Sequence, residues 1–159
     1  DAFFRGMRLV SEPVRLSLTH SVGHNQVIPE APADAVGRAL KKLSKEARLQ
    51  ELQKAEKLLA DYREAAAVFA GLQGQVKKNA KVVQDWRLAT DNLIFRARAQ
   101  RYLLSPAPDV TEQKKLLAEL PVLRKRTESM YLQKLRPANV ALIIKNLFEP
   151  VQLALQEGA

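Results

Sequence analysis

Beyond Asp34 the apolar residues of this chain recur at steps of three and four, and that period excludes most folds. Val36, Leu40, Leu43, Ala47, Leu52, Ala55, Leu58 or Leu59, Tyr62, Ala66 and Phe69 form one such stripe. A 3.6-residue period gathers them on one face of an α-helix, whereas a half-buried strand needs strict alternation. Asp34, two residues after Pro32, is the expected N-cap. Gly71 and Gly74 mark the turn that follows. A second helix is expected from about Gln75 to Leu104, with Val76, Val83, Trp86, Thr90, Leu93, Ala97 and Leu104 on one side. Lys77, Lys78, Lys81 and Arg96 fall on the other side. The Ser-Pro-Ala-Pro segment 105–108 stops it.

A third helix is expected after Asp109, with Leu116, Leu117, Leu120 and Leu123 as its early core. Pro121 should kink or split it, and it ends by Arg136, before Pro137. A fourth runs from about Asn139 to Gln156 with Val140, Ile143, Ile144, Leu147, Phe148, Val151 and Leu155, bent at Pro150. Four amphipathic helices joined by short connections predict an all-α fold, an antiparallel up-down four-helix bundle over residues 34–159.

Residues 1–33 read differently. Pro13, Pro29 and Pro32 interrupt any long helix, so an irregular, extended docking arm is expected, with at most a helical turn near Ser11–Ser17. Yet the arm carries Phe3, Phe4, Met7, Leu9, Val10, Leu16 and Leu18, too much apolar surface for a solvated tail. Phe3 and Phe4 are therefore expected to anchor on a partner, with Arg5, Arg8 and Arg15 at the rim. The alternative is that the arm packs back onto its own bundle.

The chemistry-bearing residues are few. With no cysteine among 159 residues, thiol chemistry, disulfides and cysteine-ligated metals are excluded. His20 and His24 stand four apart, but two imidazoles fall short of a metal ligand set, so no metal is assigned. Gly71–Gly74 lacks the Gly-Lys-Ser/Thr ending and the preceding strand of a phosphate loop. No Ser/His/Asp order suggests a nucleophile, so neither a cofactor nor enzymatic activity is expected. Nor does any run of 18 uncharged apolar residues offer a membrane span. The first residue is Asp1, which suggests trimming or removal of a targeting peptide.

Charge is the remaining signal. The net charge is +9, residues 1–33 are balanced, and the excess is greatest over residues 71–104. Such a basic surface calls for an acidic partner. Lys77, Lys78 and Lys81 form one candidate cluster and Arg124, Lys125 and Arg126 another, though charge runs are most often solvated helix faces. Trp86, on the apolar stripe, reads as core.

Along the second helix the pattern Trp86, Leu93, Arg96-Ala97, Arg101-Tyr102 and Leu104, followed by Lys114-Lys115, Leu117 and Glu119-Leu120, resembles the PsbQ family, extrinsic lumenal proteins of photosystem II. The resemblance covers roughly residues 86–155. Leu103 stands where the family pattern has Asp, and Pro150 interrupts the last helix; both are departures expected of a divergent relative, for example an algal form. The resemblance implies a four-helix bundle with a proline-bearing N-terminal arm. It also implies a non-enzymatic, peripheral subunit in the chloroplast thylakoid lumen, docked on the lumenal face of photosystem II and on other extrinsic subunits. There it would shield the oxygen-evolving manganese cluster and help retain calcium and chloride, with no ligand to the cluster from this chain. Lumenal targeting would account for a mature chain starting at Asp1. Two rival readings are a PsbQ-like subunit of the chloroplast NDH complex and, on charge alone, a basic helical RNA- or ribosome-associated organellar protein. Nucleic acid is not the expected partner.

Overall fold

Helix boundaries follow from where backbone N–H groups find side-chain partners. In a computed structural model, which describes residues 2–18 and 42–158 and the side chains of these except 11–18, five helices are present and no strand is formed among the described residues. They are α1 (Ala2–Leu18), α2 (Lys45–Leu72), α3 (Ala80–Leu104), α4 (Val110–Leu132) and α5 (Pro137–Glu157).

Within the described residues, the first long stripe is interrupted just before α2 begins. Residues 42–44 are turn and bend, and α2 opens at Ser44, whose Oγ accepts the Ala47 N–H at 3.2 Å. The hydroxyl satisfies an amide that the helix itself leaves without an acceptor. Asp34, the expected cap, lies outside the described residues, as do His20, His24, Pro29 and Pro32. At the other end α2 runs through Gly71 to Leu72, and α3 begins at Ala80 rather than Gln75, leaving Lys77 and Lys78 in the turn. Asp109 does cap α4, accepting the Thr111 N–H at 2.8 Å. Pro137 opens α5 at its first turn, where a missing N–H costs nothing. Neither Pro121 nor Pro150 splits its helix, since α4 and α5 each continue through the proline.

The N-terminal expectation needs correction. Residues 2–18 are not an extended arm but a helix, Pro13 notwithstanding. Phe3, Met7 and Val10 recur at four and three, and this face packs against Ala65 and Phe69 of α2. Val10 is 3% exposed and Phe69 fully buried. Burial of that stripe outweighs the one helical hydrogen bond that Pro13 removes. Gly6 makes the close approach possible: a Cβ there would meet the Phe69 ring at 3.0 Å.

Contacts order the helices pairwise. Phe69 stacks on Trp86, Leu59 and Tyr62 pack with Ala97, and Leu52 and Glu56 lie by Arg101 and Tyr102. Positions on α2 fall as those on α3 rise, so the two run antiparallel. The α3–α4 pair is antiparallel by the same reasoning: Lys134 Nζ bonds Asp85 at 2.5 Å, Asn92 Nδ2 donates to Thr127 Oγ1 at 3.0 Å, and Arg98 Nη1 meets Glu119 at 2.6 Å. The α5 helix lies against α4 and α3, burying Val140, Ile144, Phe148 and Leu155 with Leu103, Leu116 and Leu120. Gln113 of α4 ties down its end by donating to the Leu155 carbonyl at 2.6 Å.

Replacement of Phe69 by Ala should lower the unfolding free energy in urea by about 3–5 kcal/mol, the usual result for emptying a buried ring site. Replacing Phe4, 64% exposed, should change it by less than about 0.5 kcal/mol. A small effect at Phe69 would mean that α1 does not pack on α2 in solution.

Candidate docking surface

Part of each basic cluster, far apart in sequence, lines one groove. Lys81, in the first turn of α3, faces Lys125 and Arg126 of α4 across an open groove of about 950 Å³. The antiparallel pairing of α3 and α4 dictates this, because it sets the start of α3 beside the last third of α4. Leu88, Pro121, Val122 and Met130 line the groove between the charges. Val122 is 61% exposed, an apolar side chain left to solvent beside a charged rim.

Two ion pairs cross the α3–α4 seam at this groove. Lys134 holds Asp85 at 2.5 Å, and Arg126 Nη2 holds Asp91 at 3.0 Å. All four side chains are partly exposed, so each pair adds little stability. Their effect is on charge balance: they neutralise the carboxylates of the seam. Among the described residues, the side-chain ammonium groups of Lys81 and Lys125 have no hydrogen-bonded or ion-paired partner. The groove's uncompensated charge is therefore positive.

The other expected docking residues are scattered. Lys77 and Lys78 are exposed in the α2–α3 turn, one turn before Lys81, and Arg124 is exposed on α4. Phe3 is committed to the fold, with its ring edge-on to Phe69 at 6.0 Å; it is not free to anchor a partner. Phe4 is exposed, Arg5 pairs with Glu64 of α2, and Arg8 is exposed beside Phe4. The Arg15 side chain lies outside the described residues. Trp86 is half-buried, its ring stacked on Phe69 at 6.2 Å and 25°, which agrees with its reading as core.

Buried polar groups are matched within the fold. Thr127 Oγ1 accepts from Asn92 and donates to the Leu123 carbonyl at 2.9 Å. Arg98 is clamped by Glu112 at 2.8 Å and Glu119 at 2.6 Å, and these carboxylates hold its guanidinium above the ordinary arginine range against the effect of burial. Burial pulls Arg96 downward and the neighbouring Tyr62 partly offsets it. Burial, with help from Asp61, pushes the Tyr62 phenol up, while Arg96 opposes. No buried side-chain N or O is without a partner among the described residues, and no group of three or more His, Asp or Glu is placed there to hold a metal ion. No helix among them is long and apolar enough to cross a membrane.

Sequence reasoning found the charges of the groove but not its lining. Asp85, Leu88, Val122 and Met130 carry no distinctive spacing, and only the register of α3 on α4 brings them together. Comparison of the chain with protein-family models, with curated proteins and with solved structures gives no match.

Tyr62 supplies a check on this packing. Its raised pKa means the unfolded chain loses the phenolic proton first as pH rises. The stability it contributes is complete below the ordinary tyrosine range and is lost as pH climbs through the raised value. Alkaline urea titrations should show a steeper loss of stability for the parent than for Tyr62→Phe. Identical slopes would mean Tyr62 is solvated.

Proposed function

We propose that this chain is a non-catalytic extrinsic subunit of photosystem II, peripheral on the thylakoid membrane in the chloroplast lumen. Its work there is to dock, shield the manganese cluster and help retain calcium and chloride. We further propose that α2–α5 form the antiparallel up-down four-helix bundle that the PsbQ-like pattern implies. The observation that carries the docking part is the α3–α4 groove, with an apolar floor and the uncommitted lysines Lys81 and Lys125 on its rim. Binding at such a rim gains orientation and association rate from an acidic partner. The assignment to photosystem II rests on the resemblance along α3. Within that pattern Ala97, Tyr102 and Leu104 are buried, while Trp86 and Leu93 pack beside Phe69. The shared residues are thus those that join α3 to its neighbours, which supports a shared helix packing.

Rebinding to salt-washed photosystem II membranes tests the proposal. The chain should rebind at low salt, restore oxygen evolution at limiting calcium and chloride, and be released as ionic strength rises. Charge reversal at Lys81 and Lys125 together should weaken rebinding by about tenfold or more. Failure to rebind, with binding to the chloroplast NDH complex or to RNA instead, would replace this reading with one of its rivals.

A further inference from the structure

The groove between α3 and α4 also indicates what kind of partner element it takes. We infer that it receives an acidic, amphipathic helix of about three turns, laid along the seam with its apolar side down. The inference deepens the docking proposal and rests on it for the identity of the complex, but not for the chemistry of the groove.

Size comes first. The α4 wall runs from Pro121 to Gln133, and at 1.5 Å per residue that is about 18 Å, the length of roughly twelve helical residues. A volume of about 950 Å³ admits a row of side chains rather than a single one. The lining has the form of a helix-in-groove site, in which an amphipathic helix sets residues at i, i+3 or i+4, and i+7 into an apolar trough. Here Leu88, Val122 and Met130 offer that trough. Met130 adds an unbranched, adaptable side chain that repacks around different occupants.

Charge comes second. The carboxylates of the seam, Asp85 and Asp91, are already neutralised by Lys134 and Arg126. Lys81 on one wall and Lys125 on the other are not, so acidic residues flanking the apolar row of the occupant would meet a lysine on either side. A nucleic acid suits the site less well. No aromatic ring lines the groove to stack a base. An anionic lipid surface is flat and would not fill a trough between two helices.

The groove walls are faces of α3 and α4 joined by a shared core that includes Leu88, Leu116, Leu120 and Leu123, so they are set before a partner arrives and less ordering is lost on binding.

The test uses a fluorescently labelled synthetic peptide of about twelve residues. Leu occupies every third or fourth position and Glu most others. A second peptide has the same composition with the Leu spacing scrambled. Fluorescence anisotropy with the full chain should show saturable, salt-sensitive binding of the first peptide and at least about tenfold weaker binding of the second. Lys81→Glu with Lys125→Glu should weaken binding by about tenfold or more, and Val122→Asp should do so independently. Lys54→Glu with Lys57→Glu, on exposed α2 positions, should leave it unchanged. Circular dichroism establishes that each variant keeps its helices. Equal binding of both peptides, indifference to the groove substitutions, or binding only to single-stranded RNA or to anionic vesicles would overturn the inference. Peptide binding without rebinding to photosystem II would fault the choice of complex alone. Rebinding that survives the groove substitutions would fault the groove alone.

Discussion

Everything in this fold leans on α3, because α3 must be buried on two sides. Its residues enter all three core clusters: Trp86 and Leu93 with Phe69 and α1, Ala97 with Leu59 and Tyr62 of α2, and Leu88, Phe95, Ala99, Tyr102 and Leu103 with α4 and α5. A helix apolar around so much of its circumference cannot be a surface helix. It needs α2 on one side and the α4–α5 pair on the other. Once that is met, the polar residues left on α3 face the seams. Arg98 is clamped between Glu112 and Glu119, Asn92 bonds Thr127, Asp91 meets Arg126 of α4, and Asp85 meets Lys134 just beyond its end. These contacts fix the register of α4 on α3, and the register places Lys81 opposite Lys125 and Arg126.

The proposed docking role rests on what this packing leaves over. Large buried side chains are spent on the core, and the described buried polar atoms bond one another. What remains at the α3–α4 groove is an exposed Val122, an accessible Met130 and two lysines without carboxylates. That combination suits recognition better than chemistry, since it offers shape, apolar area and charge. The α1 helix plays a different part from the one Pro13 suggests. It covers Phe69, with Phe3 and Val10 packed against the bundle, and among its described side chains Phe4, Arg5 and Arg8 are exposed to solvent.

Much of the helical content was legible because period and caps agree after residue 45. Asp109 and Pro137 each start a helix for the local reason their side chains suggest, and the stripe through Leu116, Leu120 and Leu123 is the buried one. Legibility fails where local signals conflict. The spacing of Val36, Leu40 and Leu43 continues smoothly into that of Ala47, and periodicity alone cannot see that Ser44 caps the helix. The three prolines of residues 1–33 suggested an arm, while Phe3, Met7 and Val10 spelled an amphipathic helix; for residues 2–18 tertiary burial settled the conflict in favour of the helix. The groove was legible only in halves. Lys81 and Lys125 are 44 positions apart, and only an antiparallel register, which composition does not encode, makes them neighbours.

Site-specific photo-cross-linking tests the central claim most directly. A benzophenone amino acid placed at Val122, on the groove, and separately at Gln53, exposed on α2, would be activated in the rebound complex, and the adducts identified by mass spectrometry. The account predicts cross-links from position 122 to an acidic helical segment of one partner subunit, and few or none from position 53. Cross-links from position 53 alone, or from position 122 only to RNA or lipid, would contradict it.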